Sequence, residues 1–258
     1  MPRKHILVSN DDGISSCGIQ ALAKELSKKF KVTIVAPERE QSTMGHALTL
    51  HKPVRLFHIK KEKNLDQWAL SGTPADCVNM GLRHILKKKP DLIISGINRG
   101  VNLGNDIYYS GTIAAAREGV VSGIPAIAAS LDYSYVPGIE EPKKFQPAAK
   151  YVAKIANNVL TKGLPEGTLL NINFPKLEWK KIKGTKIAKQ GFMIYSKDIK
   201  PKKDFKGKDY YWLGGKYIGF KNIKNSDCNL LDQGYITLTP CKIDVTNYEL
   251  FKTLEDYI

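Results

Sequence analysis

Four short stretches carry side chains able to do chemistry, and almost all of them offer oxygen. Asn10-Asp11-Asp12-Gly13 sets two carboxylates side by side, Gln41-Ser42-Thr43 offers hydroxyls, and Gly96-Ile97-Asn98-Arg99-Gly100-Val101-Asn102 adds amides. Such oxygens suit hard divalent cations such as Mg²⁺, Ca²⁺ or Mn²⁺, whereas zinc and copper sites recruit His or Cys. Two adjacent carboxylates repel unless a cation neutralises them. Asp11, Asp12, Ser42 and Asn98 therefore form a candidate ligand set that leaves positions for water and a substrate oxygen. Taken alone, Asp11 and Asp12 could merely cap a turn, since Asp-Gly is a common turn dipeptide. The oxygen donors of the other two stretches favour the cation.

The fourth stretch is Tyr109-Ser110-Gly111-Thr112, directly before Ala114-Ala115-Ala116. Free N–H groups at a helix start, hydroxyls from Ser110 and Thr112 and the small Gly111 make a phosphate cradle, or only an ordinary helix cap. A cation site and an anion site together suggest a phosphoryl substrate. Gly13 and Gly18 do not form G-x-G-x-x-G, and neither a G-x-S-x-G elbow nor a Walker A sequence occurs. His46 and His51 flank the Ser42 loop, and His46 is retained as a candidate contact to ligand or substrate. Cys77 and Met80 read as core, and Trp68 and Trp212 as packing residues.

The elements needed to position these stretches follow from periodicity. Apolar runs at 5–10, 32–36, 54–59, 68–71, 91–95, 124–130 and 168–174 read as strands, and spacing predicts helices over 19–30, 112–121 and 146–160. Thr73-Pro74-Ala75-Asp76 is an N-cap with Pro in the first turn, opening a helix to about Leu86. This βαβ alternation predicts an α/β fold, a mainly parallel sheet with helices on both faces, over residues 1–175. In such sheets ligands bind beyond the carboxyl ends of the strands. Three of the oxygen-rich stretches follow strands at those ends, so they share one rim.

Beyond residue 175 the texture changes. Strands at 185–195, 210–220 and 234–239, a Gly214-Gly215 hairpin turn and a terminal helix over 247–257 are expected. Residues 176–245 read as an appended β arm rather than part of the parallel sheet, and 176–258 as a unit for oligomerisation. Its aromatic residues suit a subunit partner, since a two-stranded ribbon is marginal alone.

The chain has 258 residues, 42% hydrophobic and 25% charged, which excludes disorder, collagen and coiled coil. No apolar run is long enough for a membrane span or a signal-peptide core. Four cysteines without zinc spacing read as reduced thiols of a cytoplasmic protein. The net charge of +15 owes most to residues 176–224, with 15 lysines, no arginine and 4 acids. That segment is a solvated face or a polyanion surface; without arginine it lacks the usual reader of nucleic-acid sequence.

The ordered motifs resemble the SurE survival-protein nucleotidases. They comprise residues 6–13, Val35-Ala36-Pro37 with Ser42, 71–78, 95–102, 109–112, Leu170-Asn171-Ile172-Asn173-Phe174-Pro175 and 234–240. The resemblance implies a Rossmann-like α/β core with a β-hairpin arm and C-terminal helix. It implies hydrolysis of nucleoside 5′- and 3′-monophosphates, with polyphosphate as a further substrate. It also implies one divalent cation per subunit (Mg²⁺ or Mn²⁺, or Ca²⁺ in a crystal) on Asp11, Asp12, Ser42 and Asn98. Asn102, Ser110, Gly111 and Thr112 would lie by the phosphate, with Asp11 or Asp12 as base or nucleophile. Homodimers or homotetramers would form by exchange of C-terminal elements, with no membrane or specific nucleic-acid partner. The chain departs from the family pattern in its lysine-rich 176–224 stretch and in Gln41 and Met44. A metal-dependent glycosyl or nucleotidyl transferase on the same rim, and a polyanion-binding protein, are the competing readings.

Overall fold

In a computed structural model describing residues 3–133, 141–197, 199–254 and 257, the apolar run His5–Ser9 becomes an inner strand, β1, of a nine-stranded sheet. The chain continues through α1 (Cys17–Leu26), β2 (Lys31–Pro37), β3 (Leu56–Glu62), β4 (Leu65–Leu70), α2 (Pro74–Met80) and β5 (Leu92–Arg99). It then forms α3 (Gly111–Val121), β6 (Ala126–Leu131), α4 (Pro142–Lys162) and β7 (Thr168–Phe174). Short strands β8 (Thr185–Ile187), β9 (Met193–Tyr195), β10 (Lys202–Lys203), β11 (Asp209–Tyr210) and β12 (Tyr217–Phe220) follow. Helix α5 (Asp227–Asp232), β13 (Ile236–Lys242) and α6 (Phe251–Leu254) complete the described chain.

The sheet order is β3-β4-β2-β1-β5-β6-β7-β13-β8, and the pairs from β4 to β7 are all parallel. Alternation along β1 feeds two cores. Ile6 and Val8 pack with α1 and α4, while Leu7 packs with α2 and α3. The capping box expected at Thr73 and Asp76 is present and starts α2. Helix α1 reaches the backbone of β5 because Gly18 has no side chain; a β-carbon there would stand 1.9 Å from the Ile97 carbonyl oxygen. The sheet direction of travel reverses between β1 and β5, which opens a crevice at their carboxyl ends. Among the described residues no helix is long and apolar enough to cross a membrane.

Four expectations for the strands and turns need correction. The run at 54–59 gives β3, which starts later and forms an exposed antiparallel edge on β4. The segment 185–195 breaks into β8 and β9. Gly214-Gly215 is not a hairpin turn: β11 pairs with β10, and β12 pairs with β9. Gly215 instead lets two strands of backbone meet, since a β-carbon there would stand 2.1 Å from the Ser196 carbonyl oxygen. Finally, residues 176–245 do not all stand apart from the sheet, because β13 pairs with β7 and β8 with β13. The register sets buried Thr237 and Thr239 opposite buried Asn173 and Asn171, a polar seam that the sequence pattern of β13 does not reveal. The terminal helix shortens to a 3₁₀ turn, Tyr248–Leu250, and α6; residues 255 and 256 of that expectation lie outside the described residues.

Candidate active site

The crevice between β1 and β5 collects the oxygen-rich stretches. Asn10 holds the turn after β1 by donating Nδ2 to the Gly13 carbonyl and to Ser16 Oγ, both at 2.9 Å. The loop after β2 is tied to the same turn by Gln41 N–H donating to the Asp11 carbonyl at 2.8 Å. Farther on, Gly45 N–H donates to the Tyr109 carbonyl, and His46 Nε2 lies 2.8 Å from Glu118 Oε2 on α3. Glu118 is buried and also accepts from Asn79 of α2. His46 thus anchors the Ser42 loop to the helices; it is absent from the cleft lining.

Asp11 is buried and accepts the Thr112 hydroxyl proton on Oδ1 at 2.5 Å. Burial pushes its carboxyl up to about 6, the neighbouring Asp12 charge adds to this, and Thr112 opposes it. No basic side chain among the described residues pairs with Asp11. Asp12 differs: Arg99 donates its backbone N–H to Oδ2 at 2.9 Å and its Nε to Oδ1 at 3.1 Å. Burial still raises the Asp12 carboxyl, with Arg99 opposing. Arg99 Nη2 also reaches Glu40 Oε2 at 3.1 Å, and Glu40 Oε1 accepts from the exposed Ser42 hydroxyl at 2.7 Å. Asn98 donates Nδ2 to the Gly100 carbonyl at 2.9 Å, which leaves its Oδ1 as the donor atom for a cation.

Asn102 sits in a clamp. Its N–H donates to Asn173 Oδ1 at 2.8 Å, its carbonyl accepts from Asn171 and Asn173, and its Nδ2 donates to Ser130 Oγ at 2.7 Å. The buried Asp227 carboxylate fixes the next turn by accepting the N–H groups of Gly104, Gly191 and Cys228. Ser110 caps α3 by accepting the Ile113 N–H at 3.1 Å.

Asp11, Ser42, Asn98, Asn102 and Ser110 together line one cleft of about 800 Å³, whose far wall is Tyr195 with residues 213–215 of the arm. Asp12, Gly111 and Thr112 are outside that lining; Thr112 donates to Asp11 and Gly111 lies against the Asp11 side chain. A smaller apolar cavity of about 340 Å³, beside Phe174 and Trp179, contains none of these residues. The donor set fits a hard divalent cation: every side chain offers oxygen, and Asp11 is a buried carboxylate without a counter-charge among the described residues. Among the described residues no group of three His, Cys, Asp or Glu could hold a metal, so hydroxyl and amide oxygens would have to complete the coordination.

Arg99, Glu40, Glu118 and Asp227 emerge as site residues only in three dimensions. Arg99 stood next to Asn98 in the sequence, a basic residue among oxygen donors, which was the one available signal. Fold and crevice define an α/β protein with a Rossmann-like sheet and a polar cleft at its topological switch point. The family described as Survival protein SurE matches residues 6–197, and the chain belongs to the SurE family. It is 44% identical over 252 residues to a protein of Thermoanaerobacter sp. (strain X514) named 5′-nucleotidase SurE, covering 98% of this chain and 97% of that one. A Geobacter sulfurreducens protein of the same name is 44% identical over 253 residues, covering 98% and 93%. The crystal structure of the SurE protein from Aquifex aeolicus superposes with a TM-score of 0.82 at 40% identity, covering 98% of this chain and 99% of that one.

Proposed function

We propose that the protein hydrolyses nucleoside 5′-monophosphates to nucleoside and phosphate in the cleft between β1, β5 and the start of α3. The observation that carries this reading is Asp11: a buried carboxylate with no basic partner among the described residues, set against a helix N-terminus in a cleft of oxygen and amide donors. The name shared by the relatives, 5′-nucleotidase, points to the same chemistry. Nucleoside 3′-monophosphates and the ends of polyphosphate chains present the same terminal phosphoryl group and fall under the same proposal.

In this reading Asp11, Asp12, Ser42 and Asn98 hold one divalent cation per subunit, Mg²⁺ or Mn²⁺, which when bound supplies positive charge to polarise a phosphoryl oxygen. Ser110, Asn102 and the amide of Gly111 receive the phosphoryl oxygens before α3, while Thr112 acts on Asp11 through its hydroxyl. Water attacks phosphorus in line, the P–O ester bond breaks, and the leaving oxygen takes a proton from solvent so that the nucleoside departs as its alcohol. Asp12 is gripped by Arg99 behind the cleft, whereas Asp11 lines it, so Asp11 is the base that takes the water proton.

The proposal extends to assembly and compartment. Residues 1–175 carry the chemistry, and residues 176–258 join subunits into homodimers or homotetramers by exchanging C-terminal elements. Strongly exposed Phe205, Leu213 and Val245 support an apolar contact there. The four free cysteines suit a cytoplasmic protein. The lysines of the arm are partly ion-paired, as in Lys203–Asp209, and no specific nucleic-acid partner is proposed. Phosphate release from a panel of nucleoside monophosphates, with Mn²⁺, Mg²⁺ or chelator, tests the reaction; transfer without phosphate release would favour a transferase. Light scattering tests assembly: loss of residues 245–258 should lower the mass, and a monomeric full chain would refute the exchange.

A further inference from the structure

We infer that Glu40 is a positioning residue for the cation, acting through Ser42 and Arg99; this rests on the metal reading given above. Its carboxylate bridges two residues that approach the site from different loops. Oε1 accepts the Ser42 hydroxyl proton at 2.7 Å, and Oε2 accepts from Arg99 Nη2 at 3.1 Å. Arg99 in turn grips Asp12 through its N–H and Nε. One hydrogen-bonded chain therefore runs from Asp12 through Arg99 and Glu40 to Ser42, with a proposed ligand at each end.

Two consequences follow from elementary chemistry. A serine hydroxyl has one proton and two lone pairs, so a proton committed to Glu40 leaves only lone pairs to offer a cation. The charge balance changes as well. Arg99 is largely buried and, among the described residues, offsets one of the two aspartate charges, which would leave a single net negative charge of that pair for a divalent ion. Glu40 restores the second. Its side chain is half exposed, at 54%, so its place in the fold does not depend on burial, and substitution there leaves the core intact.

The experiment is calorimetric titration of the full-length protein with Mn²⁺, which reads the cation without turnover. Glu40→Gln keeps an acceptor for Ser42 but removes the charge, and should weaken Mn²⁺ binding about tenfold, the worth of one charge at a half-exposed rim. Glu40→Ala removes both and should bind more weakly still. Glu62→Gln makes the same charge change on edge strand β3, where Glu62 pairs with Lys60, and should leave affinity unchanged. In a Ser42→Ala background the effect of Glu40→Ala should shrink, because one path of the coupling is gone. Wild-type-like affinity in Glu40→Gln, or an equal loss in Glu62→Gln, would overturn the assignment while leaving the metal reading intact. Failure of the unsubstituted protein to bind Mn²⁺ would sink that reading, and this inference with it.

Discussion

Gly111, the first residue of α3, stands so close to Asp11 that a β-carbon on it would lie 2.7 Å from the Asp11 Cβ and 3.1 Å from Pro74 Cγ. No real contact of that kind is so short, so the helix start and the carboxylate can share this position only because Gly111 lacks a side chain. Gly111→Ala should force α3 away from β1, at a cost of about 1–3 kcal/mol in overpacking. Lower thermal stability together with weaker Mn²⁺ binding is expected. Unchanged melting and unchanged binding would show that the contact relaxes freely.

The protonation of Asp11 makes a second prediction. Its folded value of about 6 lies above the ordinary 3.8, so between those pH values the folded chain binds more protons than the unfolded one. Stability of the metal-free protein should therefore fall as pH rises through that window, by about 3 kcal/mol in all. Asp12 shifts in the same direction. Asp11→Asn should remove most of the slope and melt above the unsubstituted metal-free protein at neutral pH, but not at pH 4. Added Mn²⁺ should reverse that ranking by stabilising only the chain that retains the carboxylate. Parallel pH profiles for the two proteins would contradict the burial argument.

The strand-end loops were legible because a βαβ alternation fixes which ends of the strands face a ligand, and Asp11, Ser42, Asn98 and Ser110 all sit at those ends or at the helix start beside them. The supporting residues were not. Arg99 meets Asp12 across 87 positions, and Asp227 meets Gly104 across 123. Separations of that size leave no mark on local periodicity. The same holds for β13, which returns to β7 after the whole arm has intervened; its buried threonines gave no apolar alternation to read. Gly215 was misread because a glycine serving close backbone approach has the same composition signal as one serving a turn.

Ser110 and Thr112 should separate in kinetics, since their hydroxyls have different partners. Ser110 lines the cleft and caps α3, so Ser110→Ala should cost about 1 kcal/mol of stability and lower kcat about 10²–10³-fold, with Mn²⁺ affinity retained. Thr112 is fully buried and donates to Asp11, so Thr112→Val should move the Asp11 carboxyl higher still and weaken Mn²⁺ as well as kcat. Titration of both variants alongside phosphate-release kinetics checks this. Equal Mn²⁺ affinities in the two would remove the distinction.

Asp227 joins three segments that also meet through the packing of Leu103, Met193 and Cys228 and through the Met193 N–H donating to Asn105 Oδ1. Its Oδ2 accepts the Gly104 N–H at 3.0 Å, and its Oδ1 accepts those of Gly191 and Cys228 at 2.8 Å each. Gly104 belongs to the loop that presents Asn102, Gly191 leads into β9, and Cys228 lies in the first turn of α5. Gly104 and Gly191 both tolerate no β-carbon here: one would stand 2.9 Å from the Gly191 backbone, the other 2.6 Å from Cys228 Sγ. Asp227→Ala would strand three buried donors, each costing about 1–3 kcal/mol. The expected loss is about 3–5 kcal/mol, among the larger single-site effects. Asp227→Asn keeps one good acceptor but turns an amide N–H₂ toward donors, so it should be intermediate. Hydrogen exchange locates the effect: the Gly104, Gly191 and Cys228 amides should lose protection together, ahead of β1 and β5. Asn102 should then lose its register, and phosphate release should fall even at saturating Mn²⁺. Retained protection at Gly104 in Asp227→Ala would mean that the loop's other contacts, among them Asn171 and Asn173 on Asn102 and Gln190 on the Gly104 carbonyl, hold it without Asp227.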